Sequence, residues 1–210
     1  MDRDGEGSGH TEELVTLADG GRVLIRHLLP GDRQELAERY EELSPHSRRL
    51  RFFNAPEHLS DRLLDYLVDL DYDDRSALVA VAVDDEGAPG VGIARYARAA
   101  DDPTSAEAAV TVVDEHQRRG IGTILVRRLA EEARAHGIDT FTASVMWENH
   151  TVLDPLREVG AEVLPSEPGI ASVRIPLPER PREADLSDLR QALRAFAERV
   201  GQAIGLRFDR

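Results

Sequence analysis

The chain has 210 residues and a hydrophobic content of 41%, within reach of one domain of about 150 residues with extensions and a core that needs no staples. It has no cysteine, which excludes disulfides and thiolate metal sites, and no run approaching the roughly 18 apolar residues of a membrane span. A formal net charge of −14 starts any phosphate contact from a repulsive field, which argues against nucleic acid and favours cationic acceptors such as lysine or a polyamine.

Residues 1–19 are mostly Gly, Asp, Glu and Ser, and a disordered tail is expected there. No apolar run follows Met1, so a cytoplasmic location is expected. Arg22 to Leu29 reads as a first strand, ended by Pro30-Gly31. Asp32 can cap a helix running to Leu43, with Leu36, Ala37 and Tyr40 on its buried side. Ser44 followed by Pro45 starts a second helix, LSPHSRRLRFF, whose Arg48, Arg49 and Arg51 could line an acceptor entrance but read more simply as an exposed basic face. Ser60 caps a third, with an apolar face from Leu63 to Leu70.

Ala77 to Val83 is a buried strand, joined through the Gly- and Asp-rich residues 84–90 to a partner, Val91 to Arg98. The next stretch, AEAAVTVVDEHQRRGIG (Ala106 to Gly122), carries a strand, a polar turn and a glycine-spaced loop that opens into a helical pattern running to Ala135. Thr140 to Trp147 is a further strand, leading to Glu148-Asn149-His150 and a short helical stretch to Val159. Two extended runs follow, Ala161 to Leu164 and Ile170 to Leu177. The order is that of a mixed α/β sheet with helices on both faces, a domain of residues 20–178. Beyond it, residues 179–210 read as a linker and an amphipathic helix with Leu186, Leu189, Leu193, Phe196, Val200 and Ile204 along one stripe, packed on the domain or on a partner.

The loop after the central strand is built to hold an anion. The first N–H groups of a helix have no acceptor within it and carry the positive end of its dipole, so a diphosphate can take them. Gly120 and Gly122 let the backbone approach closely, and Arg118 and Arg119 add charge. Neither a P-loop nor a GxGxxG fingerprint is present; Gln117-Arg118-Arg119-Gly120-Ile121-Gly122 has instead the spacing Q/R-x-x-G-x-G/A.

In that spacing the chain resembles the GNAT acetyltransferase superfamily. With LSPHSRRLRFF, RSALVAVAV, GIARY and the Glu148-Asn149 pair, the likeness extends from Arg22 to about Val173, to the GNAT domain of actinobacterial protein lysine acetyltransferases that modify acyl-CoA synthetases. The resemblance implies a splayed, mostly antiparallel GNAT sheet and acetyl-CoA as co-substrate. It implies pairing of the pantetheine arm with backbone at Val112 and Val113, and a diphosphate site over Gln117, Arg118, Arg119, Gly120, Ile121, Gly122 and Thr123. The acceptor is expected to be a protein lysine. A small-molecule amine, or a non-catalytic acyl-CoA-binding module, are alternatives, and a monomer or a homodimer fits equally.

Acetyl transfer to an amine needs a base, and Glu107 is the candidate, a carboxylate among small apolar residues where partial burial would raise its pKa. The resemblance implies the same position. Asn149 is either a donor to the cofactor arm or a helix cap. No tyrosine lies between Thr151 and Gly160 to protonate a leaving thiolate, and Pro155 is expected to delay or kink the helix after Asn149. His46, His58, His116 and His150 lack metal-ligand spacing, and no metal is expected.

Overall fold

A computed structural model describes residues 12–53, 56–158 and 160–177. Strands β1 (Glu12–Thr16) and β2 (Arg22–His27) are followed by helices α1 (Arg33–Glu42), α2 (Pro45–Phe52) and α3 (Asp61–Val68). Strands β3 (Arg75–Ala82), β4 (Gly90–Arg98) and β5 (Ser105–Val112) then lead into α4 (Ile121–Ala135). The chain continues through β6 (Thr140–Met146), α5 (His150–Glu158), β7 (Glu162–Glu167) and β8 (Ile170–Pro176). The strands form one eight-stranded sheet in the order β1-β2-β3-β4-β5-β6-β8-β7. Neighbours are antiparallel except β5 and β6, which run parallel over three rungs, Ser105↔Thr140, Ala106↔Phe141 and Glu107↔Thr142. This is the mixed, mostly antiparallel GNAT-like sheet.

The caps expected from sequence are made. Ser44 accepts from the Ser47 N–H at 3.1 Å and Ser60 from the Leu63 N–H at 3.3 Å, each meeting a donor that the first turn leaves over. Alternation along the strands divides the core between the two faces. Val23, Ile25, Leu78, Ala80, Ala94, Tyr96 and Val110 pack against Ile121, Leu125 and Leu129 of α4. On the other face Val79 and Val81 pack with Val68 of α3 and Leu36 of α1, and Ala109 packs with Leu67. A Cβ at Gly92 would lie 3.1 Å from Leu125 Cδ1 and 3.2 Å from Ile121 Cγ2, so the glycine lets the first turn of α4 settle on β4.

The tail expected at residues 1–19 is corrected at its second half. Glu12–Thr16 adds an edge strand to β2, with Leu17 buried beyond it. The turn between them, Asp19-Gly20-Gly21, closes through Leu17 N–H to Gly21 C=O at 2.7 Å, with Gly20 at φ 90°. The hairpin is clamped to α4: Arg128 donates to both carboxylate oxygens of Glu13 at 2.6 Å. Residues 1–11 and the C-terminal segment 179–210 lie outside the described residues. Among the described residues no helix is long and apolar enough to cross a membrane.

Candidate active site

The anion loop begins where β5 ends. Asp114–His116 form a single 3₁₀ turn, and Asp114 accepts from Ser44 N–H and Ser44 Oγ at 3.0 Å and from Ser47 Oγ at 2.9 Å. A carboxylate placed on the first turn of α2 satisfies its leftover donors and fixes that helix beside the loop. Gly120 then takes φ 89° as the N-cap of α4, a left-handed conformation that only glycine adopts without strain. The helical ladder starts with Ile124 N–H to Gly120 C=O at 3.2 Å, and no side chain caps the helix. The N–H groups of Ile121, Gly122 and Thr123 thus have no acceptor inside the helix, while buried Ile121 and Leu125 anchor that turn.

The two arginines of the loop differ. Arg118 is exposed, at φ 63°, and makes no ion pair among the described residues. Arg119 is held by Asp19 of the β1–β2 turn, Nε to Oδ2 2.6 Å, and lies 2.9 Å from His116 Nδ1. Its guanidinium holds the Asp19 carboxyl below the usual carboxylate range, helped by the Gly21 N–H. Gln117 turns back to donate to the Val112 C=O at 3.1 Å.

Backbone geometry separates Val112 from Val113. The Val113 N–H donates to the Val91 C=O at 2.9 Å, and its C=O accepts from the His116 N–H at 2.9 Å, so both of its groups are used internally. In an antiparallel ladder of this register the backbone groups of Ala108, Val110 and Val112 point away from β4. On that side β6 parts from β5 after Glu107↔Thr142, which opens a slot along β5 that ends at the anion loop.

Asn149 lies at the same end of the slot, three residues beyond β6. It is 4% exposed, and neither Oδ1 nor Nδ2 has a hydrogen-bond partner among the described residues. Its side chain therefore does not cap α5, although its C=O accepts from the Val152 and Leu153 N–H groups at 3.0 Å. A buried amide left unpaired costs about 1–3 kcal/mol. The delay expected from Pro155 is not seen: α5 begins at His150 and continues through position 155 to Glu158.

Glu107 is half-buried near the start of β5 and shares its face of the strand with Ala109 and Thr111, the face toward α1–α3. Two buried guanidiniums stand near it, Arg51 of α2 at 4% exposed and Arg95 of β4 at 1%. Burial, then repulsion from Arg95, pulls the Arg51 pKa down to about 9, against the attraction of Glu107. Arg95 is lowered chiefly by burial, again with Glu107 opposing the shift. Glu107 is thus among the charges that keep both arginines protonated. The basic face expected on α2 divides accordingly: Arg49 is exposed, Arg48 is bonded to the carbonyls of Leu43, Glu57 and Glu41, and Arg51 is core. Arg95 had one available signal, its alternation in β4 with Ile93, which puts it on an inward face.

A cleft lies between α1–α3 and this face of the sheet. Apolar side chains from both layers line it, together with Thr111 and the charged Arg26, Asp32, Glu35, Arg39, Arg51 and Arg95.

The model of the acetyltransferase (GNAT) family matches residues 35–154. An acetyltransferase of Pseudomonas aeruginosa is 38% identical over 124 residues, 59% of this chain and 66% of its own length. The acetyltransferase Pat of Mycolicibacterium smegmatis is 30% identical over 194 residues, 90% of this chain and 57% of its own length, so the chain spans about two thirds or less of these curated relatives. The crystal structure of the GNAT domain of S. lividans PAT superposes with a TM-score of 0.70 at 30% identity, covering 79% of this chain and 97% of that domain. The chain belongs to the GNAT acetyltransferase family, whose co-substrate is acetyl-CoA.

Proposed function

We propose that this chain transfers the acetyl group of acetyl-CoA to the side-chain amine of a lysine in a protein acceptor, an acyl-CoA synthetase being the expected class, by direct attack with Glu107 as general base. The observation that carries the reading is the position of Glu107 at the last rung before β5 and β6 part. A carboxylate there stands at the closed end of a slot whose open end is an uncapped helix N-terminus. The likeness to Pat over 90% of the chain supports a protein acceptor, and a cytoplasmic setting goes with it.

The residues divide the work by position. The N–H groups of Ile121, Gly122 and Thr123, with Arg118 and Arg119, would hold the diphosphate. The outward backbone of Val112 and Val110 would pair with the amides of the pantetheine arm as an added strand, and the orphan amide of Asn149 would meet the same arm. The pairing that the resemblance implies at both Val112 and Val113 would rest on the Val112 N–H, because both backbone groups of Val113 and the Val112 C=O already have partners. Holding the thioester still makes the attack effectively unimolecular, and Glu107 takes the proton as the C–N bond forms, directly or through one water.

Incubation of the full chain with acetyl-CoA and a panel of lysine-bearing proteins and free amines, read by mass spectrometry and by thiol release, tests the reading. Acetyl-lysine on a protein supports it. Acetylation confined to free amines would replace it with the small-molecule alternative.

A further inference from the structure

The cleft between α1–α3 and the sheet holds buried guanidinium donors that have no acceptor among the described residues. Arg95 is 1% exposed, and its Nε, Nη1 and Nη2 all lack a hydrogen-bond partner among the described residues; Arg51 is 4% exposed and its Nη1 is likewise unpartnered. Both line the cleft, as does Thr111, whose Oγ1 is buried without a partner. Aromatic faces occupy one side of each guanidinium, Tyr66 at 4.9 Å from Arg95 and Phe52 at 4.7 Å from Arg51, but a ring quadrupole accepts no N–H in the guanidinium plane.

The other charged side chains around the cleft already have hydrogen-bond partners. Arg26 donates to both oxygens of Asp32 at 2.7 and 2.9 Å, Arg39 pairs with Glu42 at 2.7 Å, and Glu35 accepts from the Gly90 N–H at 2.6 Å. Glu107 is the carboxylate whose charge acts on both Arg51 and Arg95. What is unmet in the cleft is hydrogen bonding: the guanidinium donors of Arg95 and the Nη1 of Arg51 have no acceptor among the described residues, beside Leu, Val, Ile, Phe and Tyr side chains that line the cleft with them. Buried charges are tolerated when paired and hydrogen-bonded, and planar guanidinium donors match a carboxylate most closely.

We propose that this cleft is a binding site for an apolar small-molecule monocarboxylate, its carboxylate on the free donors of Arg95 and Arg51 and its hydrocarbon part against the aliphatic and aromatic walls toward Leu36 and Tyr40. The site lies on the α1–α3 face of β5, whereas the slot proposed for acetyl-CoA follows the strand's hydrogen-bonding edge. The inference does not rest on acetyl transfer, and its test is read without acetyl-CoA.

The test is titration of the full chain with phenylacetate and, separately, with phenylacetamide, which has the same shape without the charge, followed by calorimetry or ligand-observed NMR. The acid is expected to bind at least about tenfold more tightly than the amide, and Arg95→Met to lose at least about tenfold of the acid's affinity while leaving the amide unchanged. Methionine keeps the volume of the buried stem, and circular dichroism reports whether the variant folds. Arg51→Met and Arg51→Lys form a second pair that keeps the test decisive if Arg95→Met does not fold, with Lys retaining more of the acid's affinity than Met. Equal binding of acid and amide, no binding of either at millimolar concentration, or wild-type binding by every folded arginine variant would overturn the proposal.

Discussion

Glu107 and Thr142 face each other in the last rung of the parallel ladder between β5 and β6, and beyond that rung the two strands separate. Val112 lies five residues beyond Glu107 along β5, about 17 Å at the usual rise of a strand. The distance from the carboxylate to the anion loop is therefore set by rigid sheet and not by a flexible segment. Gly92 and the Ile121–Leu125 turn fix the other end, because α4 can rest on β4 only where a side chain is missing.

The loop itself is tested by Gly122→Asp. A carboxylate among the uncapped N–H groups would occupy their donors and repel a diphosphate, so acetyl-CoA affinity is expected to fall by at least about 100-fold while the far-ultraviolet dichroism stays native. Calorimetric titration reads it. Affinity within threefold of wild type would remove the loop from the binding site.

Asn149 gives a prediction with two opposite signs. Replacing its unpaired buried amide by Asn149→Leu removes about 1–3 kcal/mol of unmet hydrogen bonding, so the melting temperature of the protein without cofactor is expected to hold or rise. Acetyl-CoA affinity is expected to drop about tenfold in the same variant. A lower melting temperature with unchanged affinity would make the amide a structural group.

Much of this frame was legible in the sequence, and the exceptions have specific causes. Ser44-Pro45, Ser60 and the 84–90 turn announce their elements because capping and turn chemistry are local. The first strand escaped because Glu12, Glu13 and the glycines give the segment a polar average that conceals the alternation of Leu14, Val15 and Leu17 around an Asp-Gly-Gly turn. Gly120 and Gln117 were readable from spacing, whereas the internal use of both Val113 backbone groups depends on strand register, which spacing does not encode. Arg51 and Arg95 are the clearest loss. A charged residue defaults to the surface in any pattern reading, and only the packing of α2 and α3 over β4 and β5 buries these two next to Glu107.

Stability at low pH has a separate origin, on the α4 face of the sheet. Burial opposes ionisation of Glu132, but the hydrogen bonds and charge of His27, with the Ser76 hydroxyl, outweigh it and leave the carboxyl below its usual value of 4.5. A carboxyl depressed in the folded state contributes stability that is present above its unfolded pKa and lost as pH falls through its folded pKa. At neutral pH Glu132→Gln is expected to melt roughly 2–4 °C or more below wild type, for about 1 kcal/mol of lost interaction in a domain of this size. That difference should shrink as pH is lowered below about 4.5, the unfolded value. Melting curves from pH 7 to pH 3 check it, and a difference that stays constant across the range would exclude Glu132 as the cause.

The central claim is that Glu107 takes the proton from the attacking amine, and Glu107→Gln addresses it most directly. Glutamine keeps the size of the side chain and some of its hydrogen bonding but cannot accept that proton at neutral pH. The measurement is steady-state acetyl transfer at pH 7 with an acceptor protein identified by mass spectrometry, alongside acetyl-CoA affinity of the same variant. The expected result is a kcat lower by about 10²- to 10⁴-fold with nearly unchanged acetyl-CoA affinity, and partial recovery at high pH, where more of the acceptor lysine is already neutral. A loss of less than about threefold at pH 7 would contradict the assignment of Glu107 as the base.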